Sequence, residues 1–384
     1  MPKEPTSILK LGRIPLGLDY REAFWAVKRA SGMGALRQSF EILRHSLGRG
    51  RFSPSEYYLE GIWRPELTAE ERASFISEHT STKLNRQLSP LDESSLNGLL
   101  TDKLLTGLVL RSAGFPALAP RAVFGKLVRV PGVRRLSSAG EIAEFLGQED
   151  NLPVFGKPLH ASLSIGAGSF VSLADSGRSL VLGNGRVVGL KALAEEIASN
   201  FPRGYVFEPL IRQHPEVERV TGPAVGGLRI LTLRNPDDVE VLYTVQRLPA
   251  VGAMMDASHR GNPYSTALID RETGRVLRAQ AMNSMATEGL EASLVTGVRF
   301  DSVALPFMKE AHDLALNVHR LLVRPGVLGF DMALTASGPL ITEINGNPFH
   351  TTYQRAANRG LLNPDFRPRI EAALAVVRSE RGKR

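Results

Sequence analysis

The 384-residue chain is 43% hydrophobic, carries no cysteine and has a formal net charge of +8. That size and composition fit a globular protein of two or three domains, and the absence of thiols excludes disulfide scaffolds and thiolate metal centres. No run of about 18 apolar residues occurs and the start MPKEPTSILKLG has no signal-peptide core, so a soluble, cytoplasmic protein without a transmembrane segment is expected.

The charge sits at the ends. Residues 1–90 hold 14 Lys/Arg against 10 Asp/Glu, and residues 367–384 hold 6 against 2, which leaves the middle neutral. Such ends suit a solvated surface or contact with an acidic membrane or nucleic acid; no specific nucleic-acid partner is expected.

In chain order, residues 19–47 mix apolar and basic positions at helical spacing, with a break at Gly32 and Gly34. SPSEYYLEGIW and TAEERASFISEHTSTKLNRQL continue the helical pattern, the second opening on Thr68 with Glu71 three residues on. A helical region over 1–93 is therefore expected. Residues 94–114 read as one amphipathic helix ending at Gly114 before Pro116. Beyond it strands dominate: LPVFGKPL, a Gly/Ser loop, RSLVLGNGRVVGL turning near Asn184 and Gly185, GYVFEPLI, GGLRILTLR, VEVLYTVQRLP, and a hairpin around Glu272, Thr273 and Gly274. A helix at 306–322 aligns Phe307, Ala311, Leu314, Val318 and Leu321 on one face. Helices and strands are mixed without regular alternation, which predicts an α+β fold with antiparallel sheets.

Four features carry chemistry. In GFDMALTASGPLITEINGNPFH, two apolar strands carry Asp331, Glu343 and Asn345. A three-residue turn at 337–339 would set Asp331 opposite Asn345, with Glu343 on the same face. Adjacent carboxylates repel unless a cation lies between them, and hard ions such as Mg²⁺ prefer oxygen donors; the same spacing also fits a solvent-facing hairpin. Second, Lys157 ends a strand, and Ser162, Ser164, Gly166, Gly168 and Ser169 follow in a loop that can cradle phosphate or serve as a plain connection. Third, Glu208, Pro209 and Leu210 form a charged, donor-poor strand end suited to a hinge. Fourth, Arg229 alternates with apolar neighbours and needs an anion, a carboxylate or a phosphate. The histidines lack zinc-ligand spacing, and neither a nucleophile elbow nor a Walker loop occurs.

The order of these pieces is more specific than any of them alone. TDKLL with AGFP, VFGKP with its Gly/Ser loop, VFEPLI, LRI, and GFDMAL followed by PLITEINGNP resemble the ATP-grasp superfamily, in particular its sugar-transfer-associated, glutamate-ligase-like branch, over about residues 95–365. The resemblance implies an ATP-grasp fold, two lobes whose antiparallel sheets clamp ATP, divided here as 94–204 (N-terminal and lid part) and 205–384 (C-terminal lobe with the basic tail).

It further implies that Lys103 and Lys157 contact the nucleotide, that 162–169 form the lid and 208–210 the adenine hinge, that Arg229 faces the transferred phosphate, and that Asp331, Glu343 and Asn345 hold Mg²⁺. Lys157 and Arg229 are then the catalytic candidates, and His259, Arg260, Asn262, Gln354 and Arg355 the acceptor-site candidates. The expected reaction joins small-molecule carboxylate and amine substrates through an acyl phosphate, on a sugar acid or amino acid in glycan or secondary metabolism. A phosphotransferase acting on a hydroxyl and a noncatalytic basic binding module are the alternatives.

Overall fold

The computed structural model describes residues 7–9, 18–89, 94–160, 165–256, 262–282, 284–285 and 289–382. Ser162, Ser164, His259 and Arg260 lie outside the described residues.

Local capping chemistry starts most of the N-terminal helices. α1 (Tyr20–Ser31) begins at Asp19, whose carboxylate accepts the Arg21 and Glu22 amides, and ends at Gly32, where φ of 71° suits glycine. α2 (Ala35–Leu47) follows at once. α3 (Pro54–Leu59) and α4 (Ala69–Ser74) open with reciprocal capping boxes, Ser53 with Glu56 and Thr68 with Glu71. Ser77 then caps α5 (Glu78–Leu88). The helix expected through 68–88 is thus interrupted, because Phe75 and Ile76 are buried in extended backbone between α4 and α5. The helix expected over 94–114 is also divided, into α6 (Ser94–Thr101) and α7 (Lys103–Ser112), by Asp102, whose side chain caps the second.

The first sheet is built from β1 (Ala122–Phe124), β2 (Arg134–Leu136), β3 (Val154–Pro158), β4 (Gly168–Ala174), β5 (Ser179–Leu182), β6 (Val187–Gly189) and β7 (Tyr205–Pro209), in the order β2-β1-β7-β3-β4-β5-β6. Only the β1–β2 pair is parallel. Two helices, α8 (Ala139–Leu146) and α9 (Leu190–Asn200), pack their apolar faces on it around Phe145, Phe170 and Phe207. Residues 7–9 join this lobe: Glu196 accepts the amides of Ile8 and Leu9 at 2.6 and 2.7 Å, and Leu9 enters the core. β7 belongs to this sheet, and the strands of the second sheet come after Pro209.

After α10 (Pro215–Thr221) comes the second sheet: β8 (Leu228–Arg234), β9 (Val239–Leu248), β10 (Ser265–Ile269), β11 (Val276–Ala281), then α11 (Met308–Leu321), β12 (Val327–Thr335) and β13 (Gly338–Asn345). Its order, β11-β10-β9-β8-β12-β13, is antiparallel throughout. Ala311, Leu314 and Val318 of α11 pack on one face with Ile230 and Phe330, whereas Leu321, expected on that stripe, is half exposed. The other face is covered by α12 (Thr351–Ala357), α13 (Arg367–Gly382) and α5. Two aromatic contacts mark that layer, Tyr243 stacking on Tyr353 at 4.7 Å and Tyr353 meeting Phe366 at 5.1 Å. Charged residues of the basic tail serve this packing, Arg369 donating to Glu240 and Glu380 accepting from Arg234 of β8.

Candidate active site

A cleft of about 950 Å³ opens between the sheets. Strand register explains its walls. In the first sheet Ser169 pairs with Phe155 and Phe155 with Glu208, so the three form a row on one face, and Lys157 lies two residues along β3 on that same face. In the second sheet Arg229 pairs with Asp331 and Asp331 with Glu343, a row across β8, β12 and β13. All of these side chains line the cleft, together with Lys103, Arg247, Asp256, Tyr264 and Asn345.

The hairpin differs from the expected one in a telling way. Thr335 pairs with Gly338 across a two-residue turn, and a bulge between Asp331 and Met332 leaves Thr342 as the extra residue. Asp331 therefore stands opposite Glu343, and Asn345 opposite Gly329. The bulge restores the alternation that a tighter turn alone would have lost, so Asp331, Glu343 and Asn345 still share a face. Asn345 Nδ2 lies 3.4 Å from Asp331 Oδ2.

β12 is buried along almost its whole length, and Asp331 is its only charged residue. A buried carboxylate needs a partner. Arg229 supplies it with a two-pronged bond, Nε and Nη2 donating to Oδ1 and Oδ2 at 2.7 and 2.6 Å. Arg247 Nη1 stands 3.7 Å from Asp331 and 3.3 Å from Asp256, and Arg247 Nη2 donates to the Asp256 carbonyl at 3.0 Å. Its guanidinium also lies over the Tyr264 ring at 5.5 Å. Burial raises Asp256 to about 6 against the opposing pull of Arg247, with Asp331 adding to the rise. Burial also opposes ionisation of Asp331, but the two arginines win and hold its carboxyl below the usual range.

Two lysines complete the balance. Lys103 opens α7 and reaches Glu343 at 3.2 Å, while Lys157 reaches the buried Glu208 at 2.7 Å. Among the described residues the four cations Lys103, Lys157, Arg229 and Arg247 thus each face a carboxylate in the cleft. Among the described residues no three His, Cys, Asp or Glu side chains are grouped as metal ligands. The donors present are instead two carboxylates and an amide, the oxygen set a hard cation accepts. Glu343, with its side chain 35% exposed, and Asn345 fit such an ion directly; Asp331 fits by sharing an oxygen with Arg229.

The remaining expected residues are divided between the cleft and its surroundings. Gly166 has φ of 78°, and a Cβ there would come within 2.1 Å of Phe201, while at Gly168 it would meet Leu9 at 2.8 Å. Packing accounts for both glycines. Pro209 is the end of β7 and Leu210 lines the cleft. Gln354 and Arg355, expected at the acceptor site, are buried outside the cleft lining. Gln354 Nε2 and Arg355 Nε bond Glu60 at 3.1 and 3.0 Å, and Gln354 also pairs with the Ile76 backbone, tying α3 and the 75–77 segment to α12. Asn262 is exposed, with its amide near the Val251 carbonyl. Arg247 and Asp256 escaped sequence reasoning, although Arg247 ends an apolar strand just as Arg229 begins one; the argument that an inward arginine needs an anion applies to it equally.

The VanG D-Ala:D-Ser ligase of Enterococcus faecalis is 16% identical, with 73% of this chain and 62% of that one aligned and a TM-score of 0.43. The chain thus spans about three fifths of that ligase. The D-alanine–D-alanine ligases of Helicobacter pylori (15%, 72% and 61% covered, TM-score 0.40) and of Bacillus anthracis complexed with ATP (16%, 74% and 69%, TM-score 0.38) are similar at the same level. No curated protein matches the chain. The sugar-transfer associated ATP-grasp family matches over residues 85–367, from α5 to the start of α13, and the chain belongs to that family.

Proposed function

We propose that the chain is an ATP- and Mg²⁺-dependent ligase that joins a small-molecule carboxylate to an amine. The observation that carries this reading is the row of Arg229, Asp331 and Glu343, with Asn345 beside it, facing Lys157 and Glu208 across one cleft. The lysines and arginines there already face carboxylates, so a polyanion and a cation can enter together by exchange. Lys103 and Lys157 would then face the phosphates, and Glu343, Asn345 and Asp331 are the residues that would hold the cation. Mg²⁺, when bound, supplies charge screening between phosphate oxygens.

In this reaction a carboxylate oxygen takes the γ-phosphoryl group and ADP leaves. The amine nitrogen then forms the new C–N bond as the C–O bond to phosphate breaks, and phosphate and a proton are released. The protein contributes position and charge, with no nucleophile of its own. Lys157 and Arg247 stabilise negative charge developing on the transferred group, while Arg229 keeps the Asp331 carboxylate ionised and oriented. Leu210 and the Glu208 segment offer backbone and apolar surface to a purine.

The test is a calorimetric titration with a nonhydrolysable ATP analogue, with and without Mg²⁺. Mg²⁺-dependent binding is expected, and its absence would overturn the proposal. ADP and free phosphate released together in an acid-plus-amine screen would separate ligation from phosphotransfer to a hydroxyl, which keeps the phosphate on the product.

A further inference from the structure

α2 turns its apolar side away from the protein. Leu36, Phe40, Leu43 and Leu47 are 90%, 66%, 56% and 78% exposed, and at 100° per residue they fall within an arc of about 60°. The opposite side carries Gln38, which is buried and bonds the Phe24 and Met33 carbonyls, and Ile42, which packs on the core, so the helix is held to the body by a largely polar side. An amphipathic helix of a globular protein does the reverse. Arg37 and Arg44 flank the stripe at about 100° and 80° of the same wheel. On α1, Trp25 is 44% exposed with the Lys28 ammonium 4.7 Å over its ring. From Tyr20 to Arg51 the chain has seven Lys/Arg against two Glu, a local charge of +5.

We infer that the α1–α2 segment docks on the surface of an anionic lipid bilayer, with the Leu36–Leu47 stripe in the acyl boundary and the arginines at the headgroups. Leucine and phenylalanine on one side with arginines at its margin is the pattern of a helix lying in a membrane interface. Charge complementarity selects this occupant. A second copy would bring one +5 surface against another, whereas acidic headgroups attract the arginines and the apolar interior accepts the stripe. Nucleic acid would engage the arginines and leave the stripe in water. This inference is independent of the reaction assigned to the cleft.

The experiment is sedimentation of the full chain with vesicles of phosphatidylcholine containing about 30% phosphatidylserine, beside vesicles of phosphatidylcholine alone. Binding to the anionic vesicles, weakened by salt, is expected, with a blue shift in tryptophan emission that Trp25→Phe removes, since Trp63 is buried. Phe40→Ser with Leu43→Ser should lower the partition coefficient about tenfold or more. Arg37→Glu with Arg44→Glu should do the same while leaving the stripe intact. Unchanged circular dichroism in both variants would show that they fold.

Equal partition onto neutral vesicles, no partition onto either, or partition that both variants retain would overturn the inference. Concentration-dependent dimerisation that Phe40→Ser abolishes, without vesicle binding, would assign the stripe to a second copy and overturn it as well.

Discussion

Replacing Glu343 by Gln removes one charge from the cleft and almost no volume. Its partner Lys103 lies at 3.2 Å, which at an effective dielectric of 20 corresponds to a gross attraction of about 5 kcal/mol. With the Glu343 side chain 35% exposed, solvent screening and side-chain entropy cut the net contribution to about 0–1 kcal/mol. Folding stability should therefore change by no more than that in urea denaturation. Mg²⁺-dependent binding of the ATP analogue should weaken by about 10- to 100-fold, or about 1.4–2.7 kcal/mol, while binding without Mg²⁺ is not weakened, because Lys103 no longer has to leave a carboxylate. Calorimetry at matched ionic strength reads both numbers from one protein preparation. Wild-type affinity in Mg²⁺, or an equal loss with and without the metal, would refute the assignment of Glu343 as a cation ligand.

Asp331→Ala should behave oppositely, losing about 3–5 kcal/mol of stability in the same denaturation assay, because Arg229 would remain buried without its two-pronged partner. Gln354→Ala should cost about 2–3 kcal/mol by stranding the Ile76 backbone and Glu60, yet leave analogue affinity unchanged, since the residue lies outside the cleft; a change in affinity would contradict its structural placement. His319 and His350 are kept neutral by burial, which lowers them from 6.5 to about 4 and about 3, Arg229 adding to the effect at His350. In the window between these values and 6.5 the unfolded chain binds protons that the folded chain refuses, so stability falls as pH drops. The loss from pH 7 to pH 5 should be about 2 kcal/mol for each residue, and His350→Gln should remove its share of that slope.

Much of the architecture is legible from local chemistry. Thr68 with Glu71, the Gly32 stop, the Gly185 and Gly274 turns and the alternation of LRILTLR each act over a few residues, and the structure has each of them. The helices expected over 68–88 and 94–114 were broken by residues whose roles are long-range or dual. Ile76 leaves the helix to bond Gln354, and Asp102 is as good a cap as an interior residue.

The candidate site divides along the same line. That Glu343 and Asn345 share a face follows from a period of two along one strand, which the sequence carries by itself. Which residue stands opposite which depended on a one-residue bulge at Thr342, invisible to spacing, and the tertiary fold decided it. The partners of the charges were likewise undetermined: Arg229 needed an anion, but only the β8–β12 register named Asp331, only the packing of α7 on β13 brought Lys103 to Glu343, and the path of the loop after β9 set Asp256 beside Arg247. Gln354 and Arg355 looked like acceptor-site residues until α3 and the 75–77 segment folded over α12 and consumed them. Periodicity and capping act between neighbours and are written in the chain, whereas the pairings of Arg229 with Asp331, Lys103 with Glu343 and Arg355 with Glu60 are settled by contacts between residues a hundred or more positions apart.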